Sequence, residues 1–277
     1  MALGGQLVVA FDAGGVSGAL LSRGRGRLRV RAWVHAALAP GALEPGGVEP
    51  NLVRPDEVRE ALSQVARQLE GHGRRACLLL PAGVARTTLQ ALPRGVDPGA
   101  YVLFKLGSRL PYPAEEALVD GLDRSGESWL AAVVRRSVVA QYEAAAAEAG
   151  LGQARIDVAP LAGLAGLLSR SRDATGIDVV LGDVALTLAT RQGRGWSQVR
   201  SRRRPRETPD AARVADAVER LSRQGVGGGR PRVRLVGPGA AAGAELLRER
   251  GHLAEAGWPG LDGPAAAGEA PWLGGVA

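Results

Sequence analysis

The chain has 277 residues, a formal net charge of +7 and only 4% aromatic residues. The positive charge is spread along the whole length as arginine, Lys105 is the single lysine, and aromatics are not interleaved with the cations, so no nucleic-acid partner is expected. The lone Cys77 precludes an internal disulfide and fits a reducing compartment. No uncharged apolar run reaches the length of a membrane span, and the opening MALGGQLVVAFD lacks the basic and long apolar regions of a secretory leader, so neither feature is expected.

The first elements read as three strands. Gln6 to Phe11 is an apolar run, Gly14-Gly15 a turn, Ser17 to Ser22 a second strand, and RLRVRAWVHA an alternating third. A looser Pro/Gly segment follows. From Pro55 to Glu70, Val58, Ala61, Leu62, Val65, Ala66 and Leu69 form the stripe of an amphipathic helix, with Gly71 and Gly73 as its stop. ACLLLP is then a buried strand.

A segment of about 70 residues, 83–152, interrupts this pattern. It holds a Leu/Pro-rich stretch, the strand SWLAAVV, and a helix opened by Ser137 and closed by Gly150. Within it, LPYPAEE sets Tyr112 between two prolines, with Glu115 and Glu116 expected to open a helix. The chain returns through the strand ARIDV and the helix PLAGLAGLLSRS.

The order then repeats. IDVVLG, ALTLAT and WSQVRS read as three strands, Thr208 and Pro209 as the cap and first position of a helix, VRLVGPG as a strand and glycine turn, and AAAGAELLRER as a helix. Two βββαβα units predict two homologous lobes. The connection RSRRRPRETPD reads as an exposed linker, its five arginines either simply solvated or touching anionic lipid.

The pieces AFDAGG, LLLPAGVARTTLQALP, RLPYPAEEALVDGL, the YEAAAAEAGL helix with its following Ile/Val strand, and VRLVGPGA together resemble the PilM family of type IV pilus assembly. The cytoplasmic domain of GspL in type II secretion is a more distant match. The resemblance spans nearly the whole chain. It implies an α/β, actin-like (ribonuclease H-like) two-lobe fold: a first lobe of residues 1–82 plus 153–175, an inserted subdomain of 83–152, and a second lobe of 176–277 lacking most of its own insertion. It further implies a cytoplasmic scaffold at the inner face of the inner membrane. The implied partner is the N-terminal tail of a bitopic PilN-like or GspL/GspM-like protein, held in a groove between first lobe and insertion, and the secretion or pilus ATPase is a second candidate partner. Tyr112, Glu115 and Glu116 are the residues assigned to the partner contact.

In actin-like ATPases the first hairpin cradles phosphate with backbone amides, and its aspartate reaches Mg²⁺ through water. Asp12, Gly14, Gly15 and Ser17 keep the Asp-x-Gly core here, and Gly237 and Gly239 occupy the turn that abuts adenosine in such proteins. These six are the candidate nucleotide contacts, vestigial on this reading. The second hairpin, VVLGDVALT, places Leu181 where the second aspartate is expected, and only about ten residues stand where ATP-binding relatives insert a wall of the cleft. No catalytic residue, no metal site and no cofactor is expected, so the leading reading is a pseudo-ATPase scaffold. A working actin-like ATPase or small-molecule kinase of the same superfamily, and a filament-forming protein of the FtsA type, are the alternatives.

Overall fold

The computed structural model describes residues 6–24, 27–70, 75–123, 128–169, 175–182, 185–193, 195–203, 211–223, 231–257 and 261–262. Strands β1 (Gln6–Asp12), β2 (Gly15–Gly24) and β3 (Arg27–Ala37) form an antiparallel meander. Helix α1 (Pro55–Gln68) crosses it, and β4 (Arg75–Leu80) returns parallel to β1. The apolar stripe predicted for α1 is its buried face, with Val58, Leu62 and Val65 fully covered, each such burial contributing about 1.5–3 kcal/mol. A Cβ at Gly18 of β2 would stand 2.3 Å from Val65 Cγ1 and 2.6 Å from Leu69 Cδ1, so the glycine lets the helix dock directly on the sheet. The expected stop at Gly71 and Gly73 lies outside the described residues; the left-handed residue after α1 is Glu70, at φ 49°.

Strand β5 (Ala85–Ala91), helix α2 (Pro98–Leu106), β6 (Ala117–Asp123) and β7 (Ser128–Arg135) build a separate sheet in the order β5-β7-β6. Its own small core is Val102, Leu106, Ala131 and Val133. Helix α3 (Arg136–Glu148) falls within the expected 83–152 insertion, yet Val138, Tyr142 and Ala146 pack into the large first-lobe core, so this helix is shared with the first lobe. Ser137 does not cap it: its hydroxyl donates to Glu49 instead. Gly150, at φ 76°, does close it, with Leu151 N–H donating to the Ala146 carbonyl. Glu115 and Glu116 open no α-helix. Ala114–Glu116 is a single 3₁₀ turn that runs straight into β6.

Strand β8 (Gly152–Val158) joins β4 in parallel, and α4 (Ala159–Ser169), buried on every side from Ala159 to Leu168, leads to the second lobe. There β9 (Thr175–Leu181), β10 (Ala185–Gln192) and β11 (Gly195–Arg203) repeat the meander, followed by α5 (Ala211–Ser222), β12 (Arg232–Val236), α6 (Ala240–Glu249) and β13 (Leu253–Ala256). The short β14 (Leu261–Asp262) returns to the free edge of β3. Apart from β14, the sheets run β3-β2-β1-β4-β8 and β11-β10-β9-β12-β13, two copies of one topology, antiparallel in the meander and parallel at the two added strands. The duplication read in the sequence is thus a duplicated βββαβ lobe topology. Arg200 to Arg203, expected in the linker, extend β11, so seven residues separate it from α5; Thr208 and Pro209 lie outside the described residues.

Candidate functional site

The six cleft residues each have a packing role. Asp12 Oδ1 accepts the Gly14 N–H at 2.8 Å, closing the β1–β2 turn with the amide a phosphate would use, while the Gly14 carbonyl accepts from Leu38 N–H. A Cβ on Gly15 would lie 2.5 Å from the Ala36 carbonyl oxygen, and Ser17 Oγ sits 3.0 Å from His35 Nδ1 across the β2–β3 pair. At the other turn Gly237 has φ 107°, and a Cβ there would stand 1.9 Å from the Leu181 carbonyl oxygen. Gly239, at φ 80°, starts α6. In the second hairpin Gly182 N–H donates to the Ala185 carbonyl at 2.9 Å, so the hairpin place of Asp12 is held by Gly182, one residue beyond the expected Leu181. Leu181 itself is fully buried in the second-lobe core, and Asp183 lies outside the described residues.

Tyr112 and Glu116 come together, but as a latch. Arg135 Nε donates to Glu116 at 2.6 Å and its Nη1 to Glu49 at 2.8 Å, while its guanidinium lies 5.8 Å from the centre of the Tyr112 ring. Glu49 also accepts from Ser137, and its own backbone N–H, that hydroxyl and Arg135 hold its carboxyl below the usual range. Tyr112 is 8% exposed and Glu115 is exposed. The latch ties the subdomain to the loop before α1. That loop is anchored in turn by Asn51, fully buried, which bonds Gly46, Val48 and the Tyr142 hydroxyl. None of these residues faces the concavity described next.

That concavity, about 470 Å³, lies between the first lobe and the subdomain. Its apolar lining includes Leu118 and Leu122 of β6, Ala132 and Val134 of β7, Val139 of α3 and Ile156 of β8. Strands β6 and β8 are each the last strand of their sheet, so two outer edges border one groove. Its polar residues are Asp120, Glu143, Gln153, Arg155 and Asp157. Arg155 Nη2 donates to Asp157 at 2.5 Å, Gln153 to Glu143 at 2.9 Å, and the Asp120 carboxylate accepts its neighbour Gly121 N–H at 2.7 Å. Burial pushes the Asp157 carboxyl above its ordinary range, Asp120 adding to the shift and Arg155 opposing it. Sequence reasoning placed a groove at this junction but named none of these side chains. The available signal was Leu118-x-Asp120-x-Leu122, an alternating strand with a carboxylate between two apolar residues on one face. Among the described residues no group of three or more His, Cys, Asp or Glu is arranged for a metal, and no helix is long and apolar enough to cross a membrane.

Two repeated βββαβα lobes with a subdomain inserted in the first define an actin-like α/β protein. Among solved structures, the chain is similar to a PilM–PilN type IV pilus biogenesis complex (TM-score 0.69, 17% identity, 97% of this chain and 93% of that one). It is also similar to a Bacteroides thetaiotaomicron protein of actin-like ATPase fold and unknown function (0.57, 12%, 98% and 94%). A third similar structure is the cytoplasmic domain of EpsL, an inner-membrane component of the Vibrio cholerae type II secretion system (0.54, 13%, 84% and 82%). No family model matches the sequence, and no curated protein matches it.

Proposed function

We propose that this protein is a non-enzymatic scaffold of PilM type, acting at the cytoplasmic face of the inner membrane in a type IV pilus or type II secretion assembly. It holds a short extended segment from the tail of a bitopic, PilN-like partner. The observation that carries the reading is the groove bordered by the β6 and β8 edges, at the junction where the resemblance puts the tail. An open strand edge supplies main-chain hydrogen bonds, and alternate apolar pockets supply selection. The fold shared with a PilM–PilN complex supports this assignment. The cleft supports it from the other side, because each candidate phosphate residue is accounted for by local packing and glycine stands in the second hairpin where a carboxylate is needed.

The test is calorimetric titration with a synthetic peptide of the cytoplasmic N-terminal tail of a PilN-like bitopic protein. Binding to the wild type that is lost in Leu118→Arg and in Ile156→Arg, with Asp12→Ala unchanged, is the expected result. Loss in Asp12→Ala with the two groove variants unaffected would refute the assignment. The Asp-x-Gly hairpin is the one observation favouring a working ATPase or kinase, and its test is given in the Discussion.

A further inference from the structure

We infer that the groove selects a segment carrying a basic side chain, an arginine or lysine seated between Asp120 of β6 and Asp157 of β8. The inference rests on the groove being the docking site proposed above and adds what its occupant must carry.

Three carboxylates, Asp120, Glu143 and Asp157, line the groove against one guanidinium, Arg155. Arg155 is committed to Asp157, and Glu143 is held by the neutral Gln153, so a negative excess faces an otherwise apolar channel. Asp157 is only 18% exposed in its side chain, and burial pushes its carboxyl up against the opposing effect of Arg155 and the Val158 N–H, with a small further rise from Asp120. A pair of carboxylates beside an apolar floor makes the local potential more negative and so favours an incoming cation. Asp120 is the unusual member. It stands on β6 between the part-buried Leu118 and Leu122, all three groove-lining, and is itself exposed, so its carboxylate is open to a segment entering the groove. An extended segment laid along either edge presents alternate side chains to this face, so its apolar residues would meet Leu118, Leu122 and Ile156 and one basic residue would meet the two aspartates. The competing explanation is that an exposed charge on an edge strand guards against edge-to-edge association.

The experiment is selection from a bead-displayed library of random eight-residue peptides, followed by hydrogen exchange on the protein with each recovered peptide bound. With the wild type, recovered sequences should alternate apolar residues and show arginine or lysine at one fixed position enriched about tenfold, the size of one well-placed charge contact. With Asp120→Asn, and separately with Asp157→Asn, the apolar pattern should persist and the basic enrichment disappear. Apolar peptides recovered from the wild type without basic enrichment would overturn the charge inference and leave the docking reading standing. An Asp120→Asn protein that aggregates while keeping the basic preference would reduce Asp120 to an edge guard and equally overturn it. Failure to recover any peptide that protects residues 117–123 or 152–158 would contradict the docking reading itself.

Discussion

Asn51 shows how one buried side chain fixes a long loop. It is fully buried, its amide oxygen accepts from Gly46 N–H and the Tyr142 hydroxyl, and its amide nitrogen donates to Gly46 and Val48 carbonyls. Asn51→Ala would strand those groups away from water and should cost about 2–4 kcal/mol in urea unfolding, whereas Tyr142→Phe, which removes one of several bonds, should cost about 1 kcal/mol. Equal losses would contradict the network. Glu49 predicts a pH effect. Its folded pKa is lowered below the ordinary 4.5, so its contribution is present above that value and lost as pH falls through the lowered one. The Arg135 latch should therefore weaken in acid, and Glu49→Gln should show a flatter acid limb of stability than the wild type. A steeper limb would reverse the sign.

At the level of elements, the second sheet carries a charge cluster in its interior. Asp178 of β9 is fully buried and accepts from Arg234 of β12 at 2.8 and 3.1 Å, with Arg191 of β10 3.6 Å away and also buried. Asp178→Asn leaves two buried guanidinia without their shared carboxylate and should cost about 3–5 kcal/mol, measured by loss of cooperative unfolding in the second lobe. An unchanged midpoint would show that the arginines are satisfied without it. The same scale explains what the sequence made readable. Both meanders, α1 and the duplicated order were legible because their apolar periods are unbroken. Strand β5 was not, since both of its faces are half-exposed, and β6 was hidden by Asp120 and by Gly121, whose missing Cβ accommodates the Trp129 ring. The start and stop signals of α3 announced a helix but not which core it faces. The groove's location followed from the resemblance; its lining could not, because the sequence does not say which sheet edges end beside each other.

Over the whole molecule, the subdomain touches both lobes. It meets the first through the latch and the groove, and the second where the Thr87 hydroxyl lies 3.3 Å from Ser201 of β11, itself 2.8 Å from Thr187 of β10. A ligand in the groove therefore acts on a body braced against both lobes, while the cleft turns are closed by their own residues. Mg-ATP at millimolar concentration should give no melting shift, since occupancy at about 100 times Kd would stabilise by about 2.7 kcal/mol. A shift that vanishes in Asp12→Ala would instead identify a working nucleotide site. The most direct test of the scaffold reading is hydrogen exchange on the full chain with and without the N-terminal tail peptide of a PilN-like bitopic protein. The account predicts protection of residues 117–123 and 152–158, with the turns at Gly14 and Gly237 unchanged. Protection confined to those two turns would contradict it.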